Sequence, residues 1–409
     1  MNTIERLNNE LEYDTKSLTS LFADLHIHIG SAKGKAVKIT ASRQLQLRTI
    51  IYHDAPRKGL DMVGIVDSGS TLVSAEIEEM LADGDLVELE KGGFIARNGV
   101  LLISACEVES REGVHIISYL PTMQRIRDWQ AYIKSRVHNT RLSTQKVDAS
   151  ILDLIMLSSQ LDGIFCFAHA FTPHKGVYGM WTDKLASKLG EDIRHIKVLE
   201  LGLSADTDMA DMLEETRGCT FLSNSDAHSS PNVGREYNLL RMGEKNFQEL
   251  RLCLANKNGR RVLANYGMHP SLGKYHRSFC PGCDKIITDE PPISLCPLCG
   301  NSKIVMGVFD RIVVIRDYDS PRHPNERPPY YYRIPLKDLP GIGPKTYNKL
   351  LGVFPNEIEL IEKILLEDIS MVAGGTIAAT IRDMRLGRLG ISAGGGGKYG
   401  KVKKDSSNQ

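Results

Sequence analysis

The sequence predicts an α/β fold: a closed barrel of repeated β/α units, then a short cysteine module, then a small helical domain. Three features carry that reading. Between about Leu21 and Ala264, short apolar runs alternate with longer amphipathic stretches, the rhythm of enclosed parallel strands covered by helices. After Gly267 the rhythm breaks at two Cys-x-x-Cys pairs. Helical periodicity then returns in LKDLPGIGPKTYNKLL and EIELIEKILLEDISMVAGGTIAATIRDMRLGRL. A chain of 409 residues is long enough for two or three domains and for a barrel core that needs no disulfides.

Composition narrows the function classes. Lys and Arg number 51 against 50 Asp and Glu, so no global charge draws the protein to a polyanion. Hydrophobic residues at 42% with 36 glycines exclude a disordered, collagenous or coiled-coil chain. From Ser271 onward there are 20 basic against 15 acidic residues, whereas the first 270 carry 31 against 35. The basic excess therefore lies outside the barrel, where appendages could hold a polyanion. The start MNTIERLNNELEYD lacks the order of a secretory signal, and no run approaches the roughly 20 apolar residues of a membrane span. A cytoplasmic protein with no membrane partner is expected.

Taken in order, the barrel runs are ADLHIHIG, MVGIVDS, VLLISACEV, HIISYL, GIFCFAHA, IKVLELGL and CTFLSNSD. Polar residues sit within or just after them: Asp24, His26, Asp67, Glu107, His169 and Asp226. The C-terminal strand ends of a parallel barrel are where active sites gather. In His26-Ile27-His28, positions i and i+2 share one strand face, so both imidazoles can reach one cation. A lone His-x-His pair is more often a surface or satisfied core pair. The accumulation of Asp67, Glu107, His115, His169, Asp226 and His228 at one barrel end makes that bland reading improbable. Such mixed shells suit zinc, manganese, iron or magnesium rather than calcium. Two cations about 3.5–4 Å apart are the recurring device of phosphate-ester hydrolysis. Cys106, Cys166, Cys219 and Cys253 lie in apolar stretches and read as small buried thiols.

The ordered set DLHIH, VDS, CEV, HIISY, AHA and SDAHS resembles the polymerase and histidinol phosphatase (PHP) family over roughly residues 20 to 265. That resemblance implies a distorted seven-stranded β/α barrel with a phosphoesterase site of two or three divalent cations. It implies that His26, His28, Glu107 and Asp226 form the catalytic set around the first cation. Glu107 would bridge to a second held by His115 and His169, and a third would use His228 and Asp67. The chain departs from the family at Asp67-Ser68, where many members read Asp-His, and at GSAKGKAVK, where they carry a further ligand. Lys33, Lys35 and Lys38 in that segment either bring positive charge to a phosphate or are solvated loop lysines, the commoner case.

Cys280-x-x-Cys283 and Cys296-x-x-Cys299, twelve residues apart, fit a ribbon closed by one structural zinc. RDYDSPRHPNERPP reads as a connecting arm. The run Tyr330-Tyr331-Tyr332-Arg333 either stacks on bases or packs on the barrel. Leu339 to Thr346, LPGIGPKT, resembles the hairpin of helix-hairpin-helix proteins, with Gly341, Gly343 and Lys345 placed to meet a DNA phosphate; an ordinary helix cap reads equally well. The tail ISAGGGGKYGKVKKDSSNQ is expected to be flexible and basic. The boundaries read as barrel 1–270, ribbon and arm 271–328, helical domain 329–391 and tail 392–409.

Barrel, ribbon, PPYYYRIPL arm and LPGIGPKT module together resemble the endonuclease Q family over nearly the whole chain. That resemblance implies nicking on the 5′ side of uracil, hypoxanthine, xanthine and abasic sites in double- and single-stranded DNA, leaving 3′-hydroxyl and 5′-phosphate. It also implies a nucleoid-associated protein; a sliding-clamp or other repair partner stays open. An enzyme that inspects single bases lifts them from the stack, and FTPHKGVYG offers His174, Lys175 and Tyr178 as base-pocket candidates. Two alternatives remain: a small-molecule phosphatase of the histidinol phosphate type, which leaves the appended modules unexplained, and a non-catalytic DNA-binding accessory protein.

Overall fold

The computed structural model describes residues 18–403; residues 1–17 of the predicted barrel and 404–409 of the predicted tail, Lys404 among them, lie outside the described residues. Among the described residues twelve strands form one curled sheet, ten of them in a continuous path: β1 (Thr19–Ile27), β2 (Met62–Ile65), β3 (Leu101–Glu109), β4 (His115–Leu120), β5 (Ile164–Phe167), β6 (Val198–Glu200), β7 (Thr220–Leu222), β8 (Tyr237–Met242), β9 (Arg261–Gly267) and β10 (Tyr330–Tyr332), with the hairpin Leu86–Glu88 and Phe94–Ala96 branching from β3. Their spatial order is β7-β6-β5-β4-β3-β2-β1-β8-β9-β10.

The sheet is mixed, not parallel throughout as the rhythm suggested. Strands β1 to β3 run parallel, as do β5 to β7, but β4 is antiparallel to both neighbours and β8 is antiparallel to β1 and β9. The cause is connection length. Glu109 pairs with His115 across a turn of residues 110–114, enough for a hairpin but too short for a helical crossover. His115 therefore opens its strand at the end of the sheet where β3 finishes, beside Glu107.

Between β1 and β7, side-chain amides take the place of a strand ladder. Leu25 N donates to Asn224 Oδ1 (3.0 Å). Asn238 Nδ2 donates to the carbonyls of Ala23 (3.3 Å) and Ser223 (2.9 Å), and Asn265 Nδ2 to that of Phe221 (3.0 Å). These amides pair backbone groups that burial would otherwise orphan, and they carry the loop after β7 against the end of β1.

Capped helices flank the sheet. In α1 (Thr71–Ala82), α2 (Met123–Ile133) and α3 (Ile151–Gln160), the side chains of Ser70, Thr122 and Ser150 accept from the first turn, Ser150 in a capping box with Asp153. Val73, Ile77, Ile126, Trp129 and Leu154 from these helices join Ile65, Leu102 and Ile116 in the main core. Cys106, Cys166, Cys219 and Cys253 are buried, as their apolar settings predicted.

The appendages are bound to the barrel more closely than their composition suggested. Arg327 in the arm binds both carboxylate oxygens of Asp211 (2.9 and 2.7 Å) above the Phe221 ring. Tyr330–Tyr332 then joins β9 as a parallel edge strand, with the Tyr331 ring 5.2 Å from Tyr266 and Tyr332 Oη donating to Asp206 (2.8 Å). The aromatic run thus packs on the barrel as an edge strand, with Tyr331 still exposed. Helices α4 (Pro344–Leu351), α5 (Glu357–Glu362), α6 (Leu366–Ala373) and α7 (Gly375–Arg385) close around Leu336, Leu350, Leu360, Ile369 and Ile381.

The glycine-rich tail, expected to be flexible, is a folded strap as far as Lys403. Ile391–Ser392 pairs with Lys401–Val402, Gly394 N donates to Ser271 O (2.7 Å) and Gly400 N to Leu272 O (2.9 Å). Gly396 has φ +61°, and a Cβ there would lie 2.3 Å from the Phe279 ring. Here glycine serves close backbone approach, not freedom.

Candidate metal centre

Two ligand triads meet at the barrel end. In the first, His26 Nε2 and His28 Nε2 lie 3.3 Å apart and each is 3.4 Å from Asp226 Oδ1. A tetrahedral cation with bonds of about 2.0 Å needs ligand edges of about 3.3 Å, so the triad has the required size. In the second, Glu107 Oε1 is 3.1 Å from His115 Nδ1 and 3.7 Å from His169 Nε2. Glu107 joins the two: Oε1 is also 3.7 Å from His26 Nε2, and Oε2 is 3.5 Å from His28 Nε2. Glu107 Oε1 and His115 Nδ1 are buried and lie 3.1 Å apart, yet neither has a well-aligned hydrogen bond. Buried unpartnered polar atoms are rare, and a divalent cation would satisfy both.

Local strain holds the ligands out. Asp226 and His169 have φ +45° and +31°, conformations that non-glycine residues adopt at a cost of order 1–3 kcal/mol and that recur at functional sites. His28 N bonds Ala227 O (3.1 Å) and Arg235 Nε bonds Ser225 O (2.8 Å), fixing the Asp226 turn. Gly202 leaves room for His169, since a Cβ there would approach its Cβ to 2.9 Å.

Electrostatics demand positive charge. Burial opposes charge on His26, yet the carboxylates of Glu200, Asp226 and Glu107 outweigh it and lift the imidazole to about 10. Burial also disfavours the Glu107 and Asp226 anions, but His115 and Lys38 around the former and the histidines around the latter hold both well below the usual carboxylate range. Divalent cations meet that demand with the imidazoles neutral.

Other predicted residues stand elsewhere. Asp67 lies behind His28: Oδ1 is 3.0 Å from His28 Nδ1 and Oδ2 accepts from Ile29 N (2.6 Å). The His228 ring lies 4.5 Å from that of His28, with Nδ1 on Asp226 O (3.0 Å). Both triads open into a cavity of about 520 Å³ that Lys38, His174, Lys175 and Tyr275 also line. Lys175 pairs with Glu109 (2.6 Å) and the His174 ring meets Tyr275 edge-on at 5.2 Å. Tyr178 does not face the cavity: it is fully buried and stacks on Phe171. Lys33 pairs with Glu79 and Lys35 is exposed, but Lys38 is not a solvated loop lysine, for its Nζ is 3.4 Å from Glu107 Oε2.

Sequence reasoning missed Glu200, whose Oε2 is 2.8 Å from His26 Nδ1, although it ends the apolar run VLE much as Glu107 ends its own. It also missed Thr144, which donates to Glu107 Oε2 (2.8 Å) from a loop that carries no signal. In the ribbon, Cys280 and Cys299, Cys283 and Cys296, and Cys299 and Cys283 have Sγ atoms 3.6, 3.6 and 3.8 Å apart. A tetrahedral zinc with Zn–S of about 2.3 Å requires edges of about 3.8 Å, so four thiolates fit it. In the helical domain Gly341 has φ +87°, and Gly343 and Lys345 are exposed at the start of α4.

These features define a mixed α/β half-barrel with two histidine–carboxylate triads at one end and a four-cysteine module. The chain is 32% identical to the lesion-specific endonuclease PfuEndoQ from Pyrococcus furiosus, with TM-score 0.82 over 95% of this chain and 96% of that one. The same identity and TM-score relate it to an Endonuclease Q solved with a 27-mer duplex substrate carrying an abasic lesion at the active site, over 95% and 97% of the two chains. The uncharacterized protein YqxK of Bacillus subtilis is 38% identical over 394 residues, 94% of this chain and the whole of that one. No family model matches. The chain belongs to the endonuclease Q family.

Proposed function

We propose that the chain is a metal-dependent DNA repair endonuclease. It hydrolyses the phosphodiester 5′ of uracil, hypoxanthine, xanthine and abasic sites, leaving 3′-hydroxyl and 5′-phosphate. The observation that carries this is the pair of triads sharing Glu107 at the floor of an open cavity. Bound there, divalent cations supply the Lewis acidity that activates water and stabilises the departing 3′ oxygen. His26, His28 and Asp226 would hold one cation and His115 and His169 the other, with Glu107 between them. Asp67 and Glu200 keep the two strand histidines in one tautomer and orientation. A third cation at His228 and Asp67 fits poorly, because both Asp67 oxygens are engaged.

His174 and Lys175, which line the cavity, would meet an extruded nucleotide. Gly341, Gly343 and Lys345 present backbone N–H groups and a cation to a DNA phosphate. Zinc in the ribbon is structural. The deciding experiment is a denaturing gel of end-labelled duplexes with one uracil, one hypoxanthine, one abasic site or normal bases only, with Mg²⁺ or Mn²⁺. A single nick 5′ of each lesion is expected, abolished in Asp226→Asn while duplex binding persists. Nicking by Asp226→Asn at the wild-type rate would refute the assignment.

A further inference from the structure

We propose that the ammonium of Lys38 serves this cavity in place of a third cation, binding a non-bridging oxygen of the phosphate presented to the two triads. The proposal rests on the phosphodiesterase reading of the site.

The backbone delivers Lys38 deliberately. After β1 the chain turns through a two-residue hairpin in which Ser31–Ala32 pairs with Lys35–Ala36. Its turn residues Lys33 and Gly34 have φ +50° and +71°, the left-handed pair that a tight hairpin of this hand requires. Val37 N then bonds Gly30 O (3.1 Å) and Lys38 N bonds Ile29 O (3.0 Å). Lys38, four residues beyond the turn, is thereby returned to the strand end that bears His28. Its side chain is 12% exposed and its Nζ is 3.4 Å from Glu107 Oε2, on the cavity wall. Holding a lysine this deep is costly without a function or partner for its charge.

The carboxylate that a third cation would need is turned to other work. Asp67 gives one oxygen to His28 Nδ1 and the other to Ile29 N. Ser68 donates to Ile65 O (2.8 Å) and does not face the cavity. His228 has Nδ1 on the Asp226 carbonyl, leaving a single imidazole nitrogen. A phosphate bridging the triads carries oxygens that neither triad reaches. Beside Glu107 Oε2 stands Lys38, an ammonium with three donors that bind phosphate as a point charge. Such an arm stabilises charge on phosphorus-bound oxygens without a proton changing place.

Three measurements on the full chain test this in wild type, Lys38→Ala and Lys38→Arg. Metal content by plasma mass spectrometry should give two cations in the barrel and one in the ribbon for all three proteins. Inorganic phosphate, titrated calorimetrically into the metal-loaded proteins, should bind about tenfold more weakly to Lys38→Ala and recover in part in Lys38→Arg. Single-turnover nicking of an abasic duplex should slow by about 10²-fold in Lys38→Ala, the scale for losing one donor to a developing anion, with duplex affinity little changed. A third barrel cation in the wild type, or unchanged phosphate affinity in Lys38→Ala, overturns the proposal. If the wild type nicks no duplex while the phosphate contrast holds, the endonuclease reading fails and the Lys38 assignment stands. If wild type and Lys38→Ala nick alike, the assignment fails and the reading stands.

Discussion

In the barrel, three imidazoles are held from behind by protein groups: His26 Nδ1 by Glu200 (2.8 Å), His28 Nδ1 by Asp67 (3.0 Å) and His169 Nδ1 by Thr172 (3.1 Å). In the ribbon, the four thiols rest on Ile287, Ile293 and Ile304 with a single side-chain donor behind them among the described residues, Asn301 Nδ2 on Cys280 Sγ (3.7 Å), and Cys299 is exposed. The barrel has a large apolar core with which to position its ligands before a cation arrives, and it can bear strained residues and buried carboxylates to do so. The ribbon has no such reserve, so its fold and its ion are coupled. Removing a cation should disarm the first centre and unfold the second.

The largest effect is expected from Cys280→Ser combined with Cys283→Ser. Structural zinc sites contribute on the order of 10 kcal/mol to the modules they close, far more than this small cluster can replace. One zinc per chain should be lost, and limited proteolysis should cut between about residues 278 and 305. The thermal transition of the barrel should hardly move. A ribbon that stays protease-resistant without its thiols would break the comparison.

The barrel's tolerance of buried charge can be read through pH. Glu236 is fully buried, with Oε1 accepting from Met268 N (2.9 Å) and Oε2 unpartnered. Burial lifts its carboxyl from 4.5 to about 8. Between those values the folded chain holds a proton that the unfolded chain has released. Stability therefore falls as pH rises through that window and levels off above about 8, by on the order of 4 kcal/mol in total. Glu236→Gln should make that slope shallower in chemical denaturation at pH 5, 6.5 and 8. What remains includes the fall below pH 6 from Asp24, raised to about 6, the fall above 6.5 from His26, raised to about 10, and the opposing rise between about 4 and 6.5 from His276, which burial lowers to about 4. An unaltered slope in Glu236→Gln would place the pH dependence in other groups.

What the sequence made legible follows the same division. His26, His28, Glu107, His115, His169 and Asp226 stand at strand ends, where the period of two and the barrel's polarity place a side chain from local pattern alone. Asp67 was legible as a site residue but not as a support, because an acid that ligates and an acid that braces a ligand leave the same signal at a strand end. Lys38 and Tyr178 were misjudged because a hairpin return and the depth of a ring are decided by contacts distant in sequence. The strap at Gly394 to Gly400 was misjudged because composition cannot separate a glycine that needs freedom from one that lets two backbones touch.

The smallest expected effect sharpens the comparison most, because it separates position from presence. Glu200→Gln keeps the volume and an acceptor near His26 Nδ1, so folding and the ribbon's zinc should be unaffected. It removes the largest carboxylate attraction on His26 and makes that imidazole a weaker donor to a cation. Loss of such a supporting carboxylate costs about 10–100-fold in metal affinity. Calorimetric titration of Mn²⁺ into the metal-stripped barrel site should show the first cation weakened by that factor. The second site, reached through Glu107, His115 and His169, should change less, since Glu200 touches it only through the backbone N–H of His169 (3.3 Å). Equal weakening at both sites would mean that the triads bind as one unit through Glu107. No weakening at either would mean that strand geometry alone positions His26 and that the carboxylate behind it serves only to satisfy a buried imidazole.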